Sequence, residues 1–594
     1  MVSPAEERTP VLVVGGGGAG LTASLLLADL GVESLLVSAL PTTSTLPKAH
    51  VLNQRSMEIL ADCGVADEIE ALGTPRENMR ATAFYAGLAG PSPDHGRRLH
   101  RLECWGAGYT DEDWVASSPR AQSNLPQIRL EPILKRRAEA SSPGRIRFHH
   151  EVTGFEQDER CAVATVHDHR EGRDYRVRAD WVLACDGGRT IGSRIGIDLE
   201  GARDVAQEVS IHLTSDLSRW ARDPDVLIRW IWLPESGRLA VLVPMGPTRW
   251  GPESEEWVFH LNYPGGSREV TEEQAVADMR SALGIGDHPV VVHKVSRWSL
   301  DGVVASRFRS GRTFVVGDAA HRHPPTGGLG LTSAIHDAHN LCWKIAAVLK
   351  GSAGEGLLDT YEAERRPADA RNVQRSVENA LNHFAILQAA GLSESATAEE
   401  NWATLRRSWS GRPEDEAHRL AMLRGFASQS MEFREHAIEY GVTYESAAVV
   451  PDGTQPPASP DPVRLYHATT RPGHPLPHAR IEDLHGRALS TLDLVRPGRF
   501  LLVAGEDGSD WCAAARAVAD RNGLALDAVR IGHLDGDLFD PRCHWLRRRE
   551  ISPAGAILVR PDRYVCWRSA GASVDPSRDV AGALSRVLDR EVAA

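Results

Sequence analysis

Three short stretches of this chain carry residue types and spacings that could do chemistry. The first is Gly15-Gly16-Gly17-Gly18-Ala19-Gly20, set between an apolar run at residues 10–14 and a helical pattern at residues 21–30. Gly15, Gly17 and Gly20 stand where a tight turn, close approach to a pyrophosphate and close helix–strand packing each need a missing side chain. The second stretch is Cys185-Asp186-Gly187-Gly188-Arg189. The third runs from Phe314-Val315-Val316 through Gly317-Asp318 to His321-Arg322-His323-Pro324-Pro325 and a glycine-rich loop, Gly327-Gly328-Leu329-Gly330, that opens a helix. Asp318 can accept from sugar hydroxyls, and a helix start offers free N–H groups to anionic oxygens or an electron-rich ring. A phosphate site and a ribityl site in one chain together imply FAD.

These residues need elements to hold them. The local pattern is a strand at 10–14, the glycine turn, a helix at 21–30 and a strand at 34–37, the order of a dinucleotide-binding unit. Such a unit usually ends its second strand on an acid that holds a ribose; here Ser38 stands there, so a weaker hydroxyl contact is expected. At 594 residues the chain exceeds one compact core, and two or three domains are expected. Hydrophobic content of 42% and charged content of 25% are those of an ordinary globular protein. A net charge of −13 argues against nucleic acid, which requires a basic face. The longest apolar runs are too short to span a bilayer, and the polar first ten residues do not read as a signal peptide, so no membrane and a cytoplasmic location are expected. The eight cysteines show no CxxC spacing and the histidines no HExxH, so no metal is expected.

The order glycine loop, Asp186-Gly187, Gly317-Asp318 resembles the FAD-dependent aromatic hydroxylases of the p-hydroxybenzoate and phenol hydroxylase family, and most of all their 2,4-dichlorophenol monooxygenase branch. Further stretches carry the likeness: Lys48-Ala49-His50-Val51-Leu52-Asn53-Gln54-Arg55, Leu125-Pro126-Gln127, and Asn340-Leu341-Cys342-Trp343-Lys344-Ile345. The resemblance implies an α/β fold: a Rossmann-like FAD-binding domain (1–200), an inserted mixed β-sheet substrate domain (201–300), FAD-binding completion with a helical region (301–450), and a C-terminal thioredoxin-like domain (451–594). It implies that FAD is held by Gly15, Gly17, Gly18, Ala19, Gly20, Ser38, Lys48, Arg55, Gln127, Val152, Asp186, Gly187 and Asp318. Pro325, Gly328, Gly330, Leu331 and Thr332 are expected at its isoalloxazine. Lys48 replaces a usual arginine and Thr332 a usual asparagine, which loosens individual contacts rather than changing the cofactor.

The implied reaction is hydroxylation of a phenolic or hydroxy-heteroaromatic ring by O2 and NAD(P)H, with NADPH the expected donor, through a flavin C4a-hydroperoxide. That electrophile is weak, so a base must draw the phenolic proton and make the ring electron-rich. His50 falls where phenol hydroxylases carry a substrate-contacting aspartate, and imidazole titrates in the useful range. Arg229, Trp230, Trp232 and Met245, on strand-like runs at 227–234 and 239–245, are the expected pocket lining. Two alternatives use the same residues: Baeyer–Villiger or epoxidising oxygenation of a polyketide, or a flavoprotein that only sequesters an aromatic compound. Residues 368–444 read as helical, 451–462 as a proline-rich connector, and 499–568 as strand, helix, strand and hairpin. Cys512 has no second cysteine at redox spacing, which leaves the last domain a structural or assembly role, and a homo-oligomer is expected.

Overall fold

The computed structural model describes residues 6–263, 266 and 269–594. Its first sheet is built on four adjacent parallel strands in the order Thr313–Val315, Arg173–Ala184, Glu6–Val14 and Ser34–Ser38. The central strand ends VLVV with every residue buried, the continuous apolar run of a strand covered on both faces. In register, Val14 lies beside Ala184 and Val37, and Ala184 beside Val315. All four strands therefore end at one edge, and the glycine loop, Asp186, Asp318 and Ser38 emerge there side by side. Motifs far apart in sequence become neighbours because parallel strands align their carboxyl ends, where such folds bind ligands.

Behind this edge the helix Gly18–Asp29 packs on the 21-residue helix Leu329–Leu349. A β-carbon built on Gly18 would lie 2.8 Å from Leu331 Cδ1, so the two helix starts converge. Gly15 adopts φ +119°, and a side chain there would meet the Cys185 carbonyl oxygen at 2.2 Å. One on Gly20 would meet the Gly15 carbonyl oxygen at 2.0 Å. Neither position tolerates alanine without moving the backbone.

The second large sheet runs in the order His321–Arg322, Val291–Ala305, Leu199–Thr214, Glu256–Asn262, Arg238–Gly246, Val226–Leu233, Ala81–Ala86, Arg97–Glu103. It thus draws two strands from the 81–103 segment as well as those expected at 201–300. Its edge strand, His321–Arg322, belongs to the flavin-loop segment and pairs with Val303 and Val304. The edge strand of the second sheet thus runs on directly into the glycine-rich loop at 327–330. Over this sheet passes the 31-residue helix Thr360–Ala390, followed by shorter helices to Glu439. Residues 451–462 form no helix or strand, as the prolines predict.

The C-terminal unit is a seven-stranded sheet with the helices Ser509–Asn522 and Pro576–Val587. All eight cysteines are free. Among the described residues no helix is long and apolar enough to cross a membrane.

Candidate functional site: a cofactor edge facing a histidine-lined sheet

The cofactor edge supplies what a dinucleotide asks for. Neither the helix opening at Gly18 nor the one opening at Leu329 has a side-chain cap. Apart from Gly18 N–H, which donates to Glu131, their leading N–H groups are left for anionic or electron-rich partners. Asp318 is exposed, and among the described residues its carboxylate takes no hydrogen bond. A side-chain position on Gly187 would lie 4.0 Å from Asp318 Cβ, which puts those two motifs in contact. Two uncapped helix starts and one free carboxylate on a common edge fit FAD.

Several residues expected at the cofactor lie around that edge. Gln127 opens the helix Gln127–Ser141, and its N–H donates to Pro47 O at 2.8 Å and Ala49 O at 2.9 Å, fixing the turn that carries Lys48. Lys48 is exposed and adopts φ +47°, a left-handed conformation that an ordinary residue holds only when its neighbours impose it. Ser38 is buried beside the loop, its Cβ lying 3.0 Å from where a side chain on Gly16 would begin, while Val152 is buried within the strand His150–Gln157. Thr332 Oγ1 donates to Leu329 O at 2.9 Å, so the hydroxyl is spent within its own helix and leaves the flavin side to backbone N–H. Asp186 accepts from Gly188, Thr190 and Ile191 N–H groups; its carboxylate holds the turn together, and the motif's reach toward cofactor lies in its backbone.

Four expected site residues are corrected. Arg55 is buried, donates to Glu58 Oε2 at 2.8 Å and to the Asp562 carbonyl of the C-terminal unit at 2.5 Å, and so serves the domain interface rather than a phosphate. Arg229 is fully buried with its guanidinium on the Val226, Ala221 and Asp223 carbonyls and over the Trp257 ring. It projects from the face opposite Trp230, because neighbours along a strand point to opposite sides. Trp232 and Met245 are completely buried, with Trp232 between Phe84 and Phe426, and act as core. Trp230 stays on the flavin-loop side, donating Nε1–H to Thr82 Oγ1 at 3.0 Å.

Glu131 is a contact that sequence reading missed. Its Oε1 accepts from Gly18 N–H at 3.1 Å and Gln127 Nε2 at 2.5 Å, and its Oε2 from Ser44 N–H at 2.6 Å. One carboxylate thereby fastens the glycine loop to the segment bearing Lys48 and His50. Its signal was the four-residue spacing from Gln127, which places both on one helix face.

His50 precedes a two-residue strand, Val51–Leu52, paired with Ser123–Asn124. Its Nδ1 lies 2.5 Å from Asn124 Oδ1, while Asn124 Nδ2 donates to Thr74 Oγ1 at 2.7 Å. With the amide so oriented, the imidazole keeps its proton on Nδ1 and turns the Nε2 lone pair outward. Burial lowers its pKa and the Asn124 bond partly restores it, so the neutral base prevails at pH 7. Close by, His260 shares Ser210 Oγ with Trp298 Nε1, each at 2.7 Å, and burial with the His50 charge pushes its pKa down to about 4. On the same sheet face Glu208 is pushed up to about 7 by burial, against a hydrogen bond from Asn262. These partners come from strands over a hundred residues beyond His50, and no spacing announces them.

Behind the flavin loop lies a buried charge cluster. His321 Nε2 meets Asp337 Oδ2 at 2.8 Å, and Arg365 bonds Asp337 at 2.8 Å and Asp369 at 2.6 Å. The His321, Asp337 and Asp369 ligand atoms lie within 4.8 Å of one another, but the Arg365 guanidinium already supplies the cation that a metal would bring. Burial opposes charge on His321, yet Asp369 and Asp337 outweigh it and raise its pKa to about 9. A raised folded pKa stabilises fully below the unfolded value of ~6.5, and that stability is lost as pH rises through about 9. The thermal midpoint is therefore expected to fall between pH 7 and pH 9.5, and His321→Gln to flatten that slope; a midpoint that climbs over this range contradicts the assignment.

Comparison with known proteins agrees with this geometry. An "FAD binding domain" family matches residues 8–376, and an "Aromatic-ring hydroxylase, C-terminal" family matches residues 469–591. A 2,4-dichlorophenol 6-monooxygenase from Delftia acidovorans is 37% identical over 98% of both chains. Among solved structures, the flavin-dependent monooxygenase PieE in complex with FAD and substrate superposes with a TM-score of 0.91 at 38% identity, covering 98% of this chain and 99% of its own. Aklavinone-11 hydroxylase with FAD and aklavinone gives 0.76 at 28% identity, covering 98% and 99%.

Proposed function

We propose a ring hydroxylation assisted by His50 for this chain, which belongs to the FAD-dependent aromatic-ring hydroxylases. The chain is a flavin-dependent monooxygenase that uses FAD, NAD(P)H and O2 on an aromatic substrate. FAD, once bound and reduced, supplies the means of passing one oxygen atom of O2 to the ring while the other leaves as water.

The residues do the rest. The N–H groups of the glycine loop and of the helix opening at Leu329 hold the anionic and electron-rich parts of the cofactor, and Asp318 accepts from its ribityl hydroxyls. His50 Nε2 accepts the phenolic proton, which loads electron density onto the ring carbons beside and opposite the hydroxyl. Asn124, held by Thr74, keeps the opposite nitrogen protonated so that Nε2 remains the base. His50 is also close to the flavin loop: Val51 Cβ lies 3.4 Å from where a side chain on Gly328 would start. The observation that carries this reading is the His50–Asn124 bond, because it fixes a half-buried imidazole in the tautomer a phenol needs.

His50→Ala is expected to lower ring hydroxylation ~100-fold or more, in the range of general-base losses, while the protein keeps its flavin. In the wild type, kcat/KM should be level through neutral pH and fall only in acid, below the ordinary histidine range, because the folded pKa is lowered. Unchanged hydroxylation in the variant, or an acid limb that survives it, removes His50 from the reaction.

On substrate we take a phenolic or hydroxy-heteroaromatic ring, with NADPH as donor. We read the C-terminal unit as thioredoxin-like in fold and as an assembly element of a cytoplasmic homo-oligomer. Its Cys512 is buried, and burial pushes its thiol up to about 11, which suits structure and not disulfide exchange.

A further inference from the structure

Three adjacent strands of the second large sheet bring together side chains of the type that hold metal ions. His212 comes from Leu199–Thr214, Glu256 from Glu256–Asn262 and His293 from Val291–Ala305. One ligand atom of each lies within 4.8 Å of the other two. His212 Nε2 is 2.8 Å from Glu256 Oε2, and the His212 and His293 ring centroids are 4.8 Å apart. His212 is buried, Glu256 half-buried and His293 exposed, so the cluster has a floor and an open mouth.

The register shows how His293 joins the others. His212 pairs with Lys294, but the next residue, Leu213, pairs with Val292. His293 is the residue passed over, the extra one of a β-bulge. In a regular strand it would point away from the face that Lys294 shares with His212, and the bulge turns it back. Glu256 pairs with Thr214, two residues beyond His212 and therefore on the same face. Thr214 Oγ1, 2.7 Å from His293 Nε2, steadies the ring. No spacing along the chain announces this set, because three separate strands deliver it.

Two imidazoles and one carboxylate suit a borderline divalent ion such as Zn²⁺, and are poor ligands for Mg²⁺, which takes oxygen. Around a tetrahedral zinc ion such ligand atoms stand roughly 3.3–3.6 Å apart, a closure that rotation of the exposed His293 side chain can supply. Arg129 does not fill the site. It bonds Glu256 through Oε2, at 2.5 Å, and among the described residues Oε1 accepts no hydrogen bond. At the His321 cluster, by contrast, Arg365 bonds both carboxylates and every side chain is shut off from solvent. Lys294 is exposed and can carry its ammonium away into water.

We propose that His212, Glu256 and His293 form a binding site for a divalent transition-metal ion of the zinc type, with solvent completing the coordination. Arg129 is a positioning residue, since its hold on Oε2 leaves Oε1 to the ion. The site is independent of the ring-hydroxylase reading.

The test is titration calorimetry of the chelator-stripped, FAD-loaded protein with zinc chloride, its thiols kept reduced, together with anomalous scattering from a zinc-soaked crystal. The wild type is expected to take up one more equivalent of zinc than the protein carrying both His212→Gln and His293→Ala. His293→Ala alone, at an exposed position, should weaken that equivalent by roughly tenfold or more and leave the thermal midpoint of the metal-free protein unchanged. Magnesium chloride should give no comparable binding. An anomalous peak is expected among the three side chains. Equal zinc uptake by the wild type and the double variant would mean adventitious binding only and would overturn the proposal. An anomalous peak found only elsewhere would do the same.

Discussion

Asp318→Ala is expected to purify folded and nearly colourless. The carboxylate stands alone on the cofactor edge, and hydrogen bonds to a charged group contribute about 1.5–3 kcal/mol each. Losing one or two of them corresponds to FAD binding weaker by ~10-fold to 10,000-fold. Asp318→Asn keeps an acceptor without its charge and should fall between the two. The ratio of flavin to protein absorbance after purification, with titration of added FAD, gives the answer. A fully yellow alanine variant would mean that Asp318 does not hold the ribityl chain.

The second large effect concerns the seam between the cofactor domain and the C-terminal unit. Arg560, on the C-terminal side, donates to Glu364 at 2.5 Å and 2.9 Å and to Asp562. Lys344 adds a bond to Glu364 at 2.8 Å, and all of these side chains are at most 1% exposed. Burial alone would raise the Glu364 pKa, but Arg560 and Lys344 outweigh it and hold the carboxyl well below its usual range. Removing one partner of such a buried network strands the others without compensation, at roughly 3–5 kcal/mol. Arg560→Ala is expected to lower the thermal midpoint and expose the 451–462 connector to protease. Replacing Arg560, Glu364, Asp562 and Lys344 together by apolar residues of similar size should recover much of the loss. Breaking an exposed pair such as Arg173–Glu171 should change stability by less than ~1 kcal/mol, which provides the control. An Arg560→Ala protein as stable as the wild type would show that the seam is held by apolar packing alone.

How far the sequence could be read depended on the range of each signal. The glycine loop, Asp186-Gly187 and Gly317-Asp318 were legible because each is a local strand–turn unit with a composition of its own. The parallel register of Val14, Ala184 and Val315 then brought them together. Arg229 shows a reading that stopped short: it alternates with Trp230 along one strand, so the two could not share a face. The family resemblance set Arg55 at the cofactor, and its partner, Asp562, lies 507 residues away, beyond any local signal. His260, Ser210 and Trp298 left no trace for the same reason. Each belongs to the site only through contacts between distant strands. Glu131 was within reach, four residues after Gln127 and on one helix with it.

The most direct test of the account is turnover under ¹⁸O-labelled O2 with NADPH and a phenolic substrate, run on the wild type and on His50→Ala. The account predicts one labelled oxygen on the product ring and one in water for the wild type. For the variant it predicts that ring labelling collapses while bound flavin is unchanged. A ring oxygen drawn from solvent water, or equal labelling in both proteins, would contradict it.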